Sequence, residues 1–471
     1  MQEKKVNPKG FKASNYNIFV YYEPDNVYIG YNAVSNGFYV FDEQQFSQVK
    51  DILDNAGNDG SRCSGPLKDT LEKGRFLVED DLDELKILKL RNNISRFNAE
   101  ETALVIAPTL HCPLECRYCY VDRDKDKAAM ERAAIDALKS FFLKKIVRSR
   151  GAAVCWTGGE PLLVLDTVAE LNSFFLNEAK NKNIPYQCSM VTNGYLLTAA
   201  ICDRLKQCGI DKLQVTLDGC REYHDQLRHT SGGGKTYDRI MANLVTAVKT
   251  GLKITLRSNI NKDNHEGIFK LIDDLDDLFK DKSNLVFAPC MVTEVKEVKG
   301  FCPCNVYTNR EFSQLEPGIL FYAMQKGFKI GTQKLFTHRT FCGANTLSLQ
   351  VIDPQVNILK CWCNLGRADK NRVGYIKEDG DVVYTDYKAL AGWMDWNAFE
   401  IEDCLKCKVL PICMGGCMYH NLIGETDGMD MGCSHRRHNI EEILKLFYLS
   451  RTKDISRLKT INLGDAIKNI N

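Results

Sequence analysis

Thr109-Leu110-His111-Cys112-Pro113-Leu114-Glu115-Cys116-Arg117-Tyr118-Cys119-Tyr120 places three cysteines at C-x3-C-x2-C. Three thiolates at this spacing can hold three corners of a [4Fe–4S] cube and leave the fourth iron open. Ferredoxin-type runs use four cysteines, fill every iron and only carry electrons. A three-cysteine run therefore reads as a reactive metal centre, with one iron able to take a substrate or a second cofactor. The chain has 20 cysteines, so such a spacing can arise by chance, and the surrounding sequence has to agree with it.

The 471 residues exceed what one hydrophobic core holds, which predicts two or three domains. Basic and acidic side chains balance at 62 to 61, so nothing steers the chain toward nucleic acid or a membrane surface. No apolar run is long enough to cross a bilayer. The first residues, Met1-Gln2-Glu3-Lys4-Lys5, lack the apolar core of a secretion signal. A chain of this length needs no disulfides to fold, so its cysteines read as metal or redox chemistry in a reducing compartment. The expectation is a cytoplasmic, oxygen-sensitive protein.

Working outward from the cysteine run, residues 99–300 alternate apolar β-rich stretches with amphipathic helices. The stretches are Ala103–Ala107, Ala153–Trp156, Gln187–Val191, Leu213–Leu217, Ile254–Leu256 and Leu285–Ala288. Ile135, Leu138, Phe142 and Ile146 share one helical face between the first two. Such alternation predicts an α/β fold, a parallel sheet covered by helices. About six units make a partial (β/α)6 barrel, with chemistry at the C-terminal strand ends. The cysteine run follows the first strand, at that edge.

Residues 1–98 read as a small α+β unit. Asn17–Tyr22 and Val27–Tyr31 are strands around the turn Glu23-Pro24-Asp25-Asn26, followed by helices near 43–54 and 66–74. Residues 301–471 read as an irregular, cysteine-rich extension closing with an amphipathic helix, in which Ile440, Ile443, Leu444 and Phe447 face the body.

The second strand is followed by Thr157-Gly158-Gly159-Glu160-Pro161-Leu162, whose paired glycines allow a ligand to approach bare backbone. The third ends in Val191-Thr192-Asn193-Gly194 and the fourth in Val215-Thr216-Leu217-Asp218-Gly219. Asn193, Thr216 and Arg228 supply polar groups on the same edge, and an arginine can grip a carboxylate with two parallel bonds. Arg257, at the end of the fifth strand, reads equally as a cofactor or substrate contact and as a surface arginine. Gly232-Gly233-Gly234 is a turn rather than a phosphate loop, because no lysine–serine pair follows it.

Near the C-terminus, Cys404, Cys407, Cys413 and Cys417 fall at C-x2-C-x5-C-x3-C, with Cys433 after them and Cys342 and Cys361 before. Spacing alone fits zinc as well as iron–sulfur clusters. The near absence of histidines among them, beside a cluster that needs electrons, favours iron. Cys63, Cys155, Cys188, Cys202, Cys208, Cys220 and Cys290 read as small buried apolar residues.

The run Cys112–Cys119 with Tyr118 before its last cysteine, followed one βα unit later by Gly158-Gly159-Glu160, resembles the signature of the radical S-adenosylmethionine (SAM) enzymes. The later cysteines resemble the SPASM extension of those that modify peptides and proteins. The resemblance implies a [4Fe–4S] cluster on Cys112, Cys116 and Cys119, with S-adenosylmethionine bound at the open iron. It implies that Tyr118, Gly158, Gly159, Glu160, Asn193, Thr216 and Arg228 contact that cofactor. Reductive cleavage would then release a 5′-deoxyadenosyl radical, which removes hydrogen from an inert C–H bond. By the same resemblance Cys404, Cys407, Cys413 and Cys433 hold one auxiliary cluster, and Cys342, Cys361 and Cys417 contribute to another. Residues 1–98 resemble, in outline, the winged-helix domains that bind leader peptides; the plain alternative is a cap on the barrel.

Two positions depart from the pattern. Val356 in Asp353-Pro354-Gln355-Val356-Asn357 stands where a turn glycine is usual, which predicts a different turn. No cysteine lies a few residues before Cys342, so the first auxiliary cluster either has an open iron or borrows Cys363, Cys302 or Cys304. The implied function is maturation of a ribosomally made precursor peptide by thioether or carbon–carbon crosslinking or by epimerisation. A flavodoxin- or ferredoxin-type donor would supply electrons. The alternatives are a formylglycine-forming sulfatase maturase, disfavoured because Trp362 follows Cys361 where an aspartate base is usual, and a non-catalytic zinc- or cluster-bearing peptide-binding module.

Overall fold

The computed structural model of the chain describes residues 10–56, 65–121, 129–295, 298, 305–331, 340, 342–423 and 432–452. Cys63, Cys302 and Cys304 lie outside these residues, and with them the expectation that Cys302 or Cys304 completes a cluster.

The chain begins with β1 (Phe11–Ala13), β2 (Asn17–Tyr22), β3 (Val27–Asn32) and β4 (Gly37–Phe41). Helices α1 (Glu43–Asp54) and α2 (Pro66–Lys73), strand β5 (Leu77–Glu79) and helix α3 (Glu84–Arg96) follow. β2, β3 and β4 form an antiparallel sheet, and β1 pairs with β5. Asp42 starts α1 with a reciprocal cap, accepting from the Gln45 amide while the Gln45 side chain accepts from its own. Stacking of Tyr28 on Phe46, centroids 3.9 Å apart, fastens that helix to the sheet.

The body alternates strand and helix: β6 (Glu101–Ile106), α4 (Arg132–Ile146), β7 (Gly151–Trp156), α5 (Leu165–Asn181), β8 (Tyr186–Thr192), α6 (Ala199–Gln207) and β9 (Lys212–Thr216). It continues with α7 (Arg221–Leu227), α8 (Tyr237–Lys249), β10 (Lys253–Ile260), α9 (His265–Leu278), β11 (Leu285–Met291), α10 (Asn309–Gln325) and β12 (Lys329–Ile330). All six expected strands are present, and β6 to β12 pair in parallel in chain order. Ile135, Leu138, Phe142 and Ile146 are buried against the sheet, as their spacing requires. Phe175 on α5 lies 4.2 Å from Phe142 and stacks parallel to Trp156, all three fully enclosed.

The sheet does not stop at residue 300. After α10 come β13 (Leu349–Ile352), β14 (Asn357–Leu359), α11 (Ala368–Asn371), β15 (Gly374–Ile376) and β16 (Val382–Tyr384). β13 pairs in parallel with β6, Leu349 opposite Ala103, and β14 to β16 extend the sheet antiparallel to eleven strands. The expected irregular region thus supplies five strands. Each is two to four residues long, too short for an alternating pattern to register. Because β6 takes β13 rather than β12 as its second neighbour, the barrel is partial, as expected.

Val356 keeps the left-handed backbone of a turn glycine, at φ +55°, rather than producing a different turn. The buried Asp353 carboxylate holds that turn by accepting from the amides of Gln355 and Asn357 and from the Asn357 side chain.

The chain closes with α12 (Tyr387–Asp395), α13 (Glu402–Leu405), α14 (Leu410–Cys413), α15 (Met418–Ile423) and α16 (Arg436–Thr452). Ile440, Ile443, Leu444 and Phe447 are buried on α16, as expected. They share a core with Ile18, Val20 and Ile29 of the N-terminal sheet, and the Tyr448 hydroxyl donates to Asp25 at 2.7 Å. Among the described residues no helix is long and apolar enough to cross a membrane.

Replacing Phe175 by alanine empties the centre of the sheet–helix core and should cost about 3–5 kcal/mol. Urea unfolding checks this; a loss under about 1 kcal/mol would show that the aromatic stack is not the core's keystone.

Candidate functional site

The cysteine loop is fastened by backbone bonds on both flanks. On one side Gly159 N–H donates to Thr109 at 2.9 Å and Glu160 N–H to His111 at 2.8 Å. On the other, Glu115 N–H donates to His229 and Arg117 N–H to Leu227, at the end of α7. The glycine pair is explained by this packing. A Cβ on Gly159 would sit 2.1 Å from the His111 carbonyl oxygen, and one on Gly158 would meet that of Thr109 at 2.4 Å.

Tyr118 ties the loop to the strand ends. Its hydroxyl donates to Asp218 and accepts from Arg228 at 2.7 Å and from the Asn259 amide at 3.1 Å. Asp218 is fully enclosed, lies 3.5 Å from Arg228 and accepts from the Asn259 N–H at 2.7 Å. Burial pushes the Asp218 carboxyl up, while Arg228, Tyr118 and the Asn259 amide act against that rise. Tyr118 is thus an anchor between the cysteine loop and the strand ends.

Cys112, Cys116, Cys119, Tyr118, Gly158, Gly159, Asn193, Thr216 and Arg228 line one cavity of about 280 Å³. The Asn193 amide lies 3.6 Å from the Cys112 sulfur. Glu160 is not among the lining residues. Its carboxylate turns inward and accepts from Thr192 Oγ1, Asn193 N and Leu162 N, with no exposed surface, so it positions the end of β8. Residues that the sequence reading did not select, Gln214, Asn259 and Met291, share the cavity, as do Trp362 and the candidate ligand Cys363. Arg257 lines it too, rather than the outer surface.

Cys404, Cys407, Cys413 and Cys433 rim a second cavity of about 420 Å³. A third, of about 430 Å³, is bounded by Cys413, Cys417, Cys433, Cys290 and Arg257. Cys290 therefore faces a chamber instead of filling a core. Cys342 and Cys361 lie near Cys417, each adding to the rise in its thiol pKa, which burial carries to about 11. Cys363 is the first cause of the upward shift of the Cys361 thiol, ahead of burial, and also borders the first cavity. Cys188, Cys202, Cys208 and Cys220 are buried within the body.

These sites fit iron–sulfur clusters by the chemistry of their donors. Burial raises Cys112, Cys404 and Cys413, and neighbouring thiols raise them further. Grouped thiols that oppose each other's ionisation in enclosed space are stabilised as thiolates by a polynuclear cation. Among the described residues no three ligating side chains converge on a single-ion site; the cysteines instead surround cavities.

Gly159→Ala should displace the cysteine loop with all three thiols intact. The expected result is loss of most iron bound at that loop, read by iron and sulfide counts; full iron content would contradict the close-approach argument.

The chain shares this architecture with characterised proteins. Residues 106–275 match the family described as "Radical SAM superfamily". An Fe-coproporphyrin III synthase of Methanosarcina barkeri is 28% identical over 196 residues, which is 40% of this chain and 45% of that protein. The chain thus spans about half the length of that relative. A cysteine-type anaerobic sulfatase-maturating enzyme of Clostridium novyi is 22% identical over 391 residues, covering 74% of this chain and 97% of that one. The structure of anSMEcpe with bound AdoMet superposes at TM-score 0.55 with 17% identity, over 76% of this chain and 99% of that one. SuiB of Streptococcus suis, bound to precursor peptide SuiA, superposes at 0.50 with 17% identity, over 90% and 98%. The domain implies a [4Fe–4S] cluster and S-adenosylmethionine, and it sets aside a non-catalytic binding module. Residues 106–275 are thus a radical SAM domain, and the chain is an enzyme.

Proposed function

We propose that this enzyme matures a ribosomally made precursor peptide, installing a thioether or carbon–carbon crosslink or inverting an α-carbon. Cys112, Cys116 and Cys119 hold the [4Fe–4S] cluster. Gly158, Gly159, Asn193, Thr216 and Arg228 surround S-adenosylmethionine, and Glu160 and Tyr118 fix the walls. When bound, these groups supply a carbon-centred radical that removes hydrogen from an unactivated C–H bond. Cys404, Cys407, Cys413 and Cys433 hold one auxiliary cluster, and Cys342, Cys361 and Cys417 contribute to another. Electrons come from a flavodoxin- or ferredoxin-type donor, and the protein works in the cytoplasm. The sheet β2–β4 with α1 to α3 is the leader-binding domain.

The observation that carries this reading is the sharing of Arg257, Met291 and Thr293 between the first cavity and the chamber bounded by Cys413, Cys417 and Cys433. An extended peptide can lie across that junction with one residue at the cysteine loop and a neighbour toward the auxiliary site. Partial enclosure keeps water from the reacting residue. The peptide-bound structure of SuiB, similar in fold, is in keeping with such a substrate.

A formylglycine-forming maturase is the second reading, favoured by the likeness to the Clostridium novyi enzyme along nearly its whole length. Trp362, which borders the cavity beside Cys361, stands where that group has its aspartate base.

Anaerobic reconstitution followed by dithionite reduction tests the reading. Wild type should form 5′-deoxyadenosine, and Cys116→Ala should form none. Cys413→Ala should lose part of its iron, keep deoxyadenosine formation and lose product. Co-expression with short peptides encoded beside the gene separates the readings by mass spectrometry. A crosslink removes hydrogens, epimerisation leaves the mass unchanged, and formylglycine replaces a cysteine or serine side chain by an aldehyde. Deoxyadenosine formation by Cys116→Ala would overturn the assignment.

A further inference from the structure

Among the described residues, neither of the two cavities that share Arg257 has a carboxylate side chain in its lining. Their cations are nearly all balanced from behind. Arg228 is paired with Asp218 at 3.5 Å, and Arg436 with Glu316 at 3.1 Å. Burial holds His420 toward its neutral form. Arg257 differs. Its Nε donates to Asn259 Oδ1 at 2.7 Å, and its charge is favoured by Cys290 first and then by Tyr118, Tyr120 and Asp218, rather than by a contact ion pair of its own among the described residues.

The position of Arg257 is fixed by the sheet. It lies opposite Thr216 of β9 and Ala288 of β11 and borders both chambers. Asn259, which takes its Nε–H, also donates to Tyr118 and to Asp218, so the guanidinium is oriented by the same network that anchors the cysteine loop. An arginine fixed through Nε keeps its two terminal amino groups as a planar fork, the geometry that receives a carboxylate with two parallel bonds. Away from bulk water a guanidinium without a carboxylate in direct contact is costly to bury, and an anionic ligand offsets that cost.

We propose that Arg257 is the specificity-determining residue for a carboxylate in the substrate peptide, an aspartate or glutamate side chain held at the junction of the two chambers. This rests on the peptide-substrate reading above. The other carboxylate within reach is that of S-adenosylmethionine. Arg257 lies on β10, four strands from the cysteine-bearing end of β6, and opens toward the auxiliary side, which favours the peptide.

The test uses reconstituted holoenzyme and equilibrium dialysis. The probes are N-acetylated, C-amidated Gly-Glu-Gly and Gly-Gln-Gly, whose only difference is the carboxylate, and S-adenosylmethionine in separate cells. Wild type should hold the glutamyl peptide at least tenfold more tightly than the glutaminyl one. Arg257→Met should erase that difference, Arg257→Lys should keep part of it, and S-adenosylmethionine affinity should change less than twofold in both. Equal binding of the two peptides by wild type would overturn the proposal. So would a tenfold loss of S-adenosylmethionine affinity in Arg257→Met with peptide preference unchanged, which would assign the fork to the cofactor. Glutamyl preference with no peptide modified in any assay would overturn the maturase reading while leaving the carboxylate site standing.

Discussion

One enclosed carboxylate organises the catalytic edge. Asp218 is fully buried, and its partners come from three segments: Tyr118 in the distant cysteine loop, Arg228 just past the end of α7 and Asn259 in β10. Breaking such a pair by removing one member leaves a charge stranded in low dielectric, at a cost of roughly 3–5 kcal/mol. The network is therefore a poor source of net stability and a strong source of geometry. It decides where the loop that carries Cys112, Cys116 and Cys119 sits relative to the ends of β9 and β10.

The glycine pair does the corresponding work on the opposite flank. Gly158 and Gly159 let β7 run so close to Thr109 and His111 that two backbone bonds join them. Glu160 then turns away from the cavity to collect two donors at the end of β8 and a third from the Leu162 amide. A short stretch that reads as a ligand cradle is, in large part, masonry between neighbouring strand ends, with the glycines also bordering the cavity.

Much of this was legible from residues alone. The strands β6 to β11 are long apolar runs separated by amphipathic helices, so their order and direction follow from pattern. The three-cysteine run and the glycine pair announce themselves by spacing. What stayed hidden depends on contacts between segments far apart in the chain. Asn259 and Gln214 have no local signature, and Arg257 reads equally as surface or site until β10 is placed beside β9 and β11. The strands β12 to β16 escaped because each is only two to four residues long. Val356 illustrates the opposite case: the sequence suggested an altered turn, yet Asp353 holds the usual left-handed one in place. That conformation costs a β-branched residue on the order of 1–3 kcal/mol, and the partial packing of Val356 against the main core opposes the cost.

The union of β13 with β6 has a consequence for the modularity of the enzyme. Leu349 to Ile352 occupy the edge that Ala103 to Ile106 would otherwise present to solvent, and an uncovered parallel edge rich in valine, leucine and isoleucine invites pairing between chains. The cysteine-rich tail and the body with the radical SAM domain are thus woven into one fabric. Chimeras that exchange tails between such enzymes have to carry β13 and its neighbours with the barrel, and a cut near residue 300 would yield a sticky fragment instead of a smaller catalyst.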